Sequence, residues 1–143
     1  MLGIDLCKHY IGFDRHVNRS DIMMHLKSQA HEGDIVLDPA TTAWCAAWMN
    51  FCERTVGNLG TGRVNARSFL DYGRPVDLES AERGDIIIFD FEHDGVHGHV
   101  TYLDHRVELE DGAGGVVCLG GNQSDKVQYS TYGVVNLAGI RRP

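Results

Sequence analysis

The sequence predicts an α+β domain in which N-terminal helices pack on a C-terminal antiparallel β-sheet. Length and composition come first: 143 residues, 43% hydrophobic and 23% charged, suit one globular domain that buries its own core without staples. The hydrophobic pattern comes second. Apolar residues recur at helical spacing in the first half of the chain, and beyond Pro75 they give way to short β-type runs separated by turn residues. Helices followed by strands is the order of an α+β domain with its helices on one side of a sheet. No internal repeat, linker or low-complexity segment interrupts the pattern, so residues 1–143 are expected to form a single domain.

Taken in order, the first helix runs from Ser20 to about His31, with Ile22, Met23, Leu26 and Ala30 on one face, Ser20 as N-cap and Gly33 as stop. A polar connection from Glu32 to Ala40 contains Pro39. The second helix carries TTAWCAAWMNFC and ends near Gly57; its cap is Thr41 or Thr42, or else Asp38 with Pro39 in the first helical position. A Gly-rich loop from Gly57 to Gly62 leads to a short helix with Ala66, Phe69 and Leu70, closed by Gly73 and Pro75. Strands are expected at Asp85 to Asp90, His99 to Glu108, Gly115 to Gly121, Lys126 to Tyr132 and Leu137 to Arg141, as an antiparallel meander.

Charge and cysteine usage narrow the function. A formal net charge of -7 excludes a general nucleic-acid binder, which needs a basic stripe to displace counterions from phosphate. The longest apolar run, Ile86 to Phe89, is far too short to span a bilayer, so no membrane insertion is expected. The N-terminus lacks the basic-then-apolar pattern of a secretory signal. Four scattered cysteines, Cys7, Cys45, Cys52 and Cys118, make neither a disulfide framework nor a Cys-x-x-Cys zinc site. Cys45 and Cys52 are about 10 Å apart along a helix axis, beyond disulfide reach.

Cys45 stands near the start of its helix. Free N–H groups and the positive end of the helix dipole there favour a thiolate, and the same groups can face an oxyanion. A nucleophilic cysteine also needs a base. Of the histidines in FEHDGVHGHV, His99 opens a strand and is held on a rigid element, whereas His93 and His97 lie in the preceding loop. Folding the chain about the turn near Asp111 and Gly112 brings Asn122 to within a few positions of His99, the reach of cross-strand neighbours. Cys45, His99 and Asn122 thereby form a candidate nucleophile, base and orienting group.

Four motifs in order, Ala43-Trp-Cys-Ala-Ala-Trp48, Arg83-Gly-Asp-Ile-Ile-Ile-Phe89, Gly98-His-Val100 and Leu119-Gly-Gly-Asn-Gln123, resemble the CHAP and NlpC group of papain-like cysteine peptidoglycan hydrolases. Small single-domain bacteriophage endolysins are the most similar members, and the likeness covers roughly Ile11 to Pro143. It implies a papain-like fold, no cofactor, and Cys45 as nucleophile, His99 as general base and Asn122 as the imidazole-orienting residue. Trp44, Trp48, His97 and Gln123 are candidate substrate contacts. Cys52 is expected in the core, and Cys7 and Cys118 are expected to be inert.

The resemblance further implies a peptidoglycan hydrolase cleaving an amide or peptide bond of the murein peptide, with bacterial peptidoglycan as its partner. Such an enzyme is expected to act as a monomer without a separate wall-binding domain. It would be made in the host cytoplasm without a signal peptide and released to the wall through a holin. Two other readings remain: a metal-dependent amidase using His93, His97 and His99 with Asp94 nearby, and a non-catalytic phage structural or wall-binding protein. Asp90, Glu92, Asp94 and Gly95 look like the start of a calcium loop, but Thr101 stands where a bidentate Glu is required.

Overall fold

In the computed structural model, which describes residues 1–143, three α-helices precede a six-stranded antiparallel sheet. Helix α1 (Gly3–Lys8) was not legible in the sequence, because six residues are too few to show a helical period. Its placement depends on Gly3, where a Cβ would collide with the Tyr102 hydroxyl and the Glu53 carboxylate. Helix α2 (Arg19–Ser28) starts one residue before the expected cap Ser20 and stops well short of Gly33.

Helix α3 (Cys45–Thr55) begins later than Asp38, Thr41 or Thr42 would make it. Those residues form a turn of their own. The Asp38 carbonyl accepts the N–H groups of Thr41 and Thr42 at 3.2 and 3.0 Å, and its carboxylate accepts the Ala40 N–H and a two-pronged Arg19 guanidinium. Trp44 therefore takes the N-cap position without a capping side-chain bond, and Cys45 is the first helical residue.

The strands are β1 (Arg74–Pro75), β2 (Ile86–Phe89), β3 (His99–Glu108), β4 (Gly114–Gln123), β5 (Lys126–Gly133) and β6 (Leu137–Arg142). They lie in the order β1-β6-β2-β3-β4-β5. Strands β2 to β5 form the expected meander, but β6 departs from it and pairs with β2 on the far side. This crossing curls the sheet. Across a flat sheet, β5 and β6 would be about 19 Å apart, whereas the short link Val134–Asn136 lets their ends separate by at most about 14 Å. The curl brings Phe89 of β2 against Tyr132 of β5, with ring centroids 5.0 Å apart, although β3 and β4 lie between them in the sheet order.

Both faces of the sheet are buried, which accounts for the unbroken apolar run in β2. Ile86 and Ile88 join Val100, Tyr102 and Leu119 under the helices, while Ile87 and Phe89 join Leu103, Val116 and Cys118 inside the curl. At the far edge, the buried Asp85 carboxylate accepts two hydrogen bonds from Arg142, at 2.7 and 2.8 Å, and pins β6 to the start of β2. The Arg83-Gly84-Asp85 segment is thus a structural clamp.

Helix α3 meets the sheet at Gly121, where a Cβ would come within 2.9 Å of both the Trp44 and Trp48 side chains. Gly121→Ala is expected to lower stability by about 1–3 kcal/mol through overpacking. A reduced urea midpoint with an unchanged slope is the expected readout, and an unaltered midpoint would show that the two tryptophans are not seated on the sheet at this point.

Candidate active site

Cys45 occupies the first position of α3 and is 6% exposed. Trp48 is the first N–H of the helix to bond back, to the Trp44 carbonyl at 2.9 Å. The N–H groups of Cys45, Ala46 and Ala47 are therefore left at the positive end of the helix. His99 opens β3, held opposite Phe89 of β2. By strand alternation it shares a face with Thr101 and Leu103, inside the curl, while Val100 and Tyr102 face the helices. The imidazole reaches the thiol at the end of the strand, near enough that each group shifts the titration of the other.

The other side of the imidazole is fixed by a buried amide. His99 Nε2 lies 3.1 Å from Gln123 Oε1, and that oxygen also accepts the Thr101 hydroxyl at 2.6 Å. Both amide hydrogens of Gln123 are committed, to the carbonyls of Cys118 at 3.1 Å and Gln128 at 2.6 Å. With its donors spent, Gln123 can only accept, so His99 Nε2 carries a proton and Nδ1 is left to face the thiol. Gly120 keeps the space for this network, since a Cβ there would stand 2.6 Å from Thr101 Oγ1.

Burial pushes the Cys45 thiol up, but the hydrogen bond and charge of His99, together with the N–H groups of Val100 and Ala46, outweigh it and hold the thiol below its ordinary value. Burial likewise pushes His99 down, and the bond and charge of Cys45, with help from Gln123, carry it above its ordinary value. The shifts are opposite in sign and mutually consistent, because each partner favours the charged form of the other and the two groups titrate together.

Asn122 does not take the position that counting along the hairpin gives it. The β3–β4 register, Tyr102 opposite Leu119, does continue toward His99 opposite Asn122, as the sequence implied. However, Asn122 adopts a left-handed backbone with φ 58°, and the β4–β5 register shifts between Gly120 and Gln123. This bulge re-aims the strand. Gln123, expected as a substrate contact, meets the imidazole in place of Asn122.

Trp44 and Trp48, also expected in a substrate groove, are 0% and 1% exposed and belong to the core. His97 is exposed on the loop, with Nδ1 3.1 Å from Glu92 and also bonded to Asp94, whose carboxylate raises its pKa. The histidine trio of the alternative metal-amidase reading is not assembled. His99 is committed to Cys45 and Gln123, and the ligand-type side chains that do converge are Glu92, Asp94 and His97, all exposed. Cys7, Cys52 and Cys118 are fully buried, and burial pushes the Cys118 thiol up to about 12. Thr101 carries a sequence signal for its role beside His99, since its spacing of two from His99 on a strand places both on one face.

No protein-family model matches the sequence, and no curated protein matches it either. Among solved structures, the fold is similar to the crystal structure of the wild-type endolysin LysIME-EF1, with a TM-score of 0.50 and 15% sequence identity over 87% of this chain. The match spans 63% of that endolysin. At this identity the likeness is one of fold, and it joins the α+β architecture of this chain to that of an endolysin.

Proposed function

We propose that the protein is a peptidoglycan hydrolase of the endolysin kind, a CHAP- or NlpC-like cysteine amidase or endopeptidase acting on the murein peptide. The observation that carries this reading is Cys45 at the first position of α3 paired with His99 of β3. The endolysin-like fold supports the choice of substrate. In this reading His99 Nδ1 takes the Cys45 proton, and the thiolate attacks an amide carbonyl. The leftover N–H groups of the first helical turn receive the oxyanion. His99 then returns the proton to the departing amine, and water releases the acyl group from the sulfur. Gln123 keeps Nε2 protonated throughout. The enzyme acts as a monomer on the wall after holin-dependent release.

Digestion of purified sacculi, with the new termini identified by mass spectrometry, tests this reading and names the bond cut. Cys45→Ala and His99→Ala are expected to lower fragment release at least about 10³-fold. Gln123→Ala is expected to fall between these variants and the native chain, whereas Asn122→Ala retains nearly full activity. Native-level digestion by Cys45→Ala would end the proposal.

Alkylation by iodoacetamide tests the ion pair without any substrate. Because Cys45 is held below and His99 above their ordinary values, the thiolate persists as pH falls below the range where a free thiol, near pKa 8.5, is protonated. The acidic limb of Cys45 labelling is expected to lie below that of a free thiol, with mass spectrometry locating the adduct. In His99→Ala the profile is expected to move up to that of an ordinary thiol.

A further inference from the structure

The hydroxyl of Tyr132 is a second neighbour of the imidazole that the proposed mechanism does not use. It lies 3.4 Å from His99 Nε2, with ring centroids 5.6 Å apart. The tyrosine comes from β5, brought across the curl, and its ring is held by Phe89 at 5.0 Å and Phe91 at 5.5 Å. Burial pushes the phenol pKa up to about 12, so it stays neutral through the neutral pH range. Since Gln123 keeps a proton on Nε2, the phenol oxygen stands where it accepts a share of that proton.

We propose that Tyr132 is a positioning residue that acts through His99, its hydroxyl joining Gln123 Oε1 as a second neutral acceptor for Nε2–H and thereby favouring the imidazolium that keeps Cys45 ionised. This rests on the Cys45–His99 pair of the proposed function. Two neutral oxygens stabilise the cation by dipoles alone and add no charge beside the thiolate. The titratable or charged groups near His99 are Cys45 from α3 and Tyr132 from β5, with Cys118 of β4 beyond the phenol. Arg67, paired with Asp90, packs against Gly98 just before the strand. Apart from the phenol, none of these groups hydrogen-bonds Nε2.

Tyr132→Phe removes the hydroxyl and keeps the ring in its aromatic packing. The rate of Cys45 alkylation by iodoacetamide, followed from pH 4 to 9, reads the effect. Loss of one hydrogen bond to the imidazolium is expected to slow labelling on the order of three-fold along the acidic limb, displacing that limb upward while the rate at pH 9 is preserved. Phe91→Leu, which loosens the ring packing but leaves the hydroxyl, is expected to keep the native profile. Superimposable profiles for Tyr132→Phe and the native protein overturn the proposal, as does slowing by the same factor at every pH. If the native protein itself labels like a free thiol, the ion pair fails first, and that result is distinct from failure of Tyr132 alone.

Discussion

The seating of Trp44 and Trp48 on Gly121 sets the position of the Cys45 sulfur. The two rings meet edge to face, with centroids 5.8 Å apart, and both are withdrawn from water. Burying side chains of this size contributes about 4 to 6 kcal/mol each, before the entropy of ordering them is subtracted. Cys45 lies between them in sequence, so it inherits the rigidity of that contact. A glycine at the meeting point lets the helix approach closely, and the approach brings a thiol on a helix within reach of an imidazole on a strand.

Much of this architecture is legible from residue patterns, and the parts that are not share a cause. Strand β3 occupies His99 to Glu108, the range read from its alternation, and the ends of β4, β5 and β6 differ from expectation by one or two residues. Local patterns are enough there because strand and turn residues alternate cleanly. The late start of α3 was hidden because Asp38, Thr41 and Thr42 are good caps by residue type, and only the tertiary position of Arg19 shows that Asp38 is used in a turn. The exchange of Asn122 for Gln123 was hidden for a similar reason. Counting along a hairpin assumes a regular ladder, and a bulge beside two glycines breaks that assumption. Tyr132 left no local signal at all, since it meets His99 only because the link from β5 to β6 forces the sheet to curl.

The choice of an amide beside His99 has an electrostatic consequence. A carboxylate in that position would have to be desolvated inside the curl, and if ionised it would place a second negative charge near the thiolate. Gln123 avoids both costs. Its two donors satisfy backbone carbonyls and its oxygen serves Thr101 and His99 together. The molecule does bury a carboxylate elsewhere, at Glu53, but there Tyr72, Tyr102 and Asn58 all donate to it. Those donors gather near the C-terminal end of α3, where Asn58, Tyr72 and Tyr102 converge on the carboxylate.

The site lies at the seam between two cores, and the seam explains why His99 has to open its strand. A histidine further along β3 on the same face would be enclosed by the curl, with the sheet itself separating it from α3. At the strand's first residue the imidazole passes the end of the sheet and meets a thiol from the helical side. Gly98 makes that end available, since a Cβ there would stand 2.9 Å from the Phe89 carbonyl, and the chain could not turn so tightly into the Phe89–His99 pair. Phe89 in turn belongs to β2, which β6 holds through the Asp85–Arg142 clamp. The ionisation of one sulfur is therefore coupled to closure of the whole sheet. Loosening β6 would relax β2, release His99 from its place beside Gln123, and leave the thiol in a buried environment that favours its neutral form.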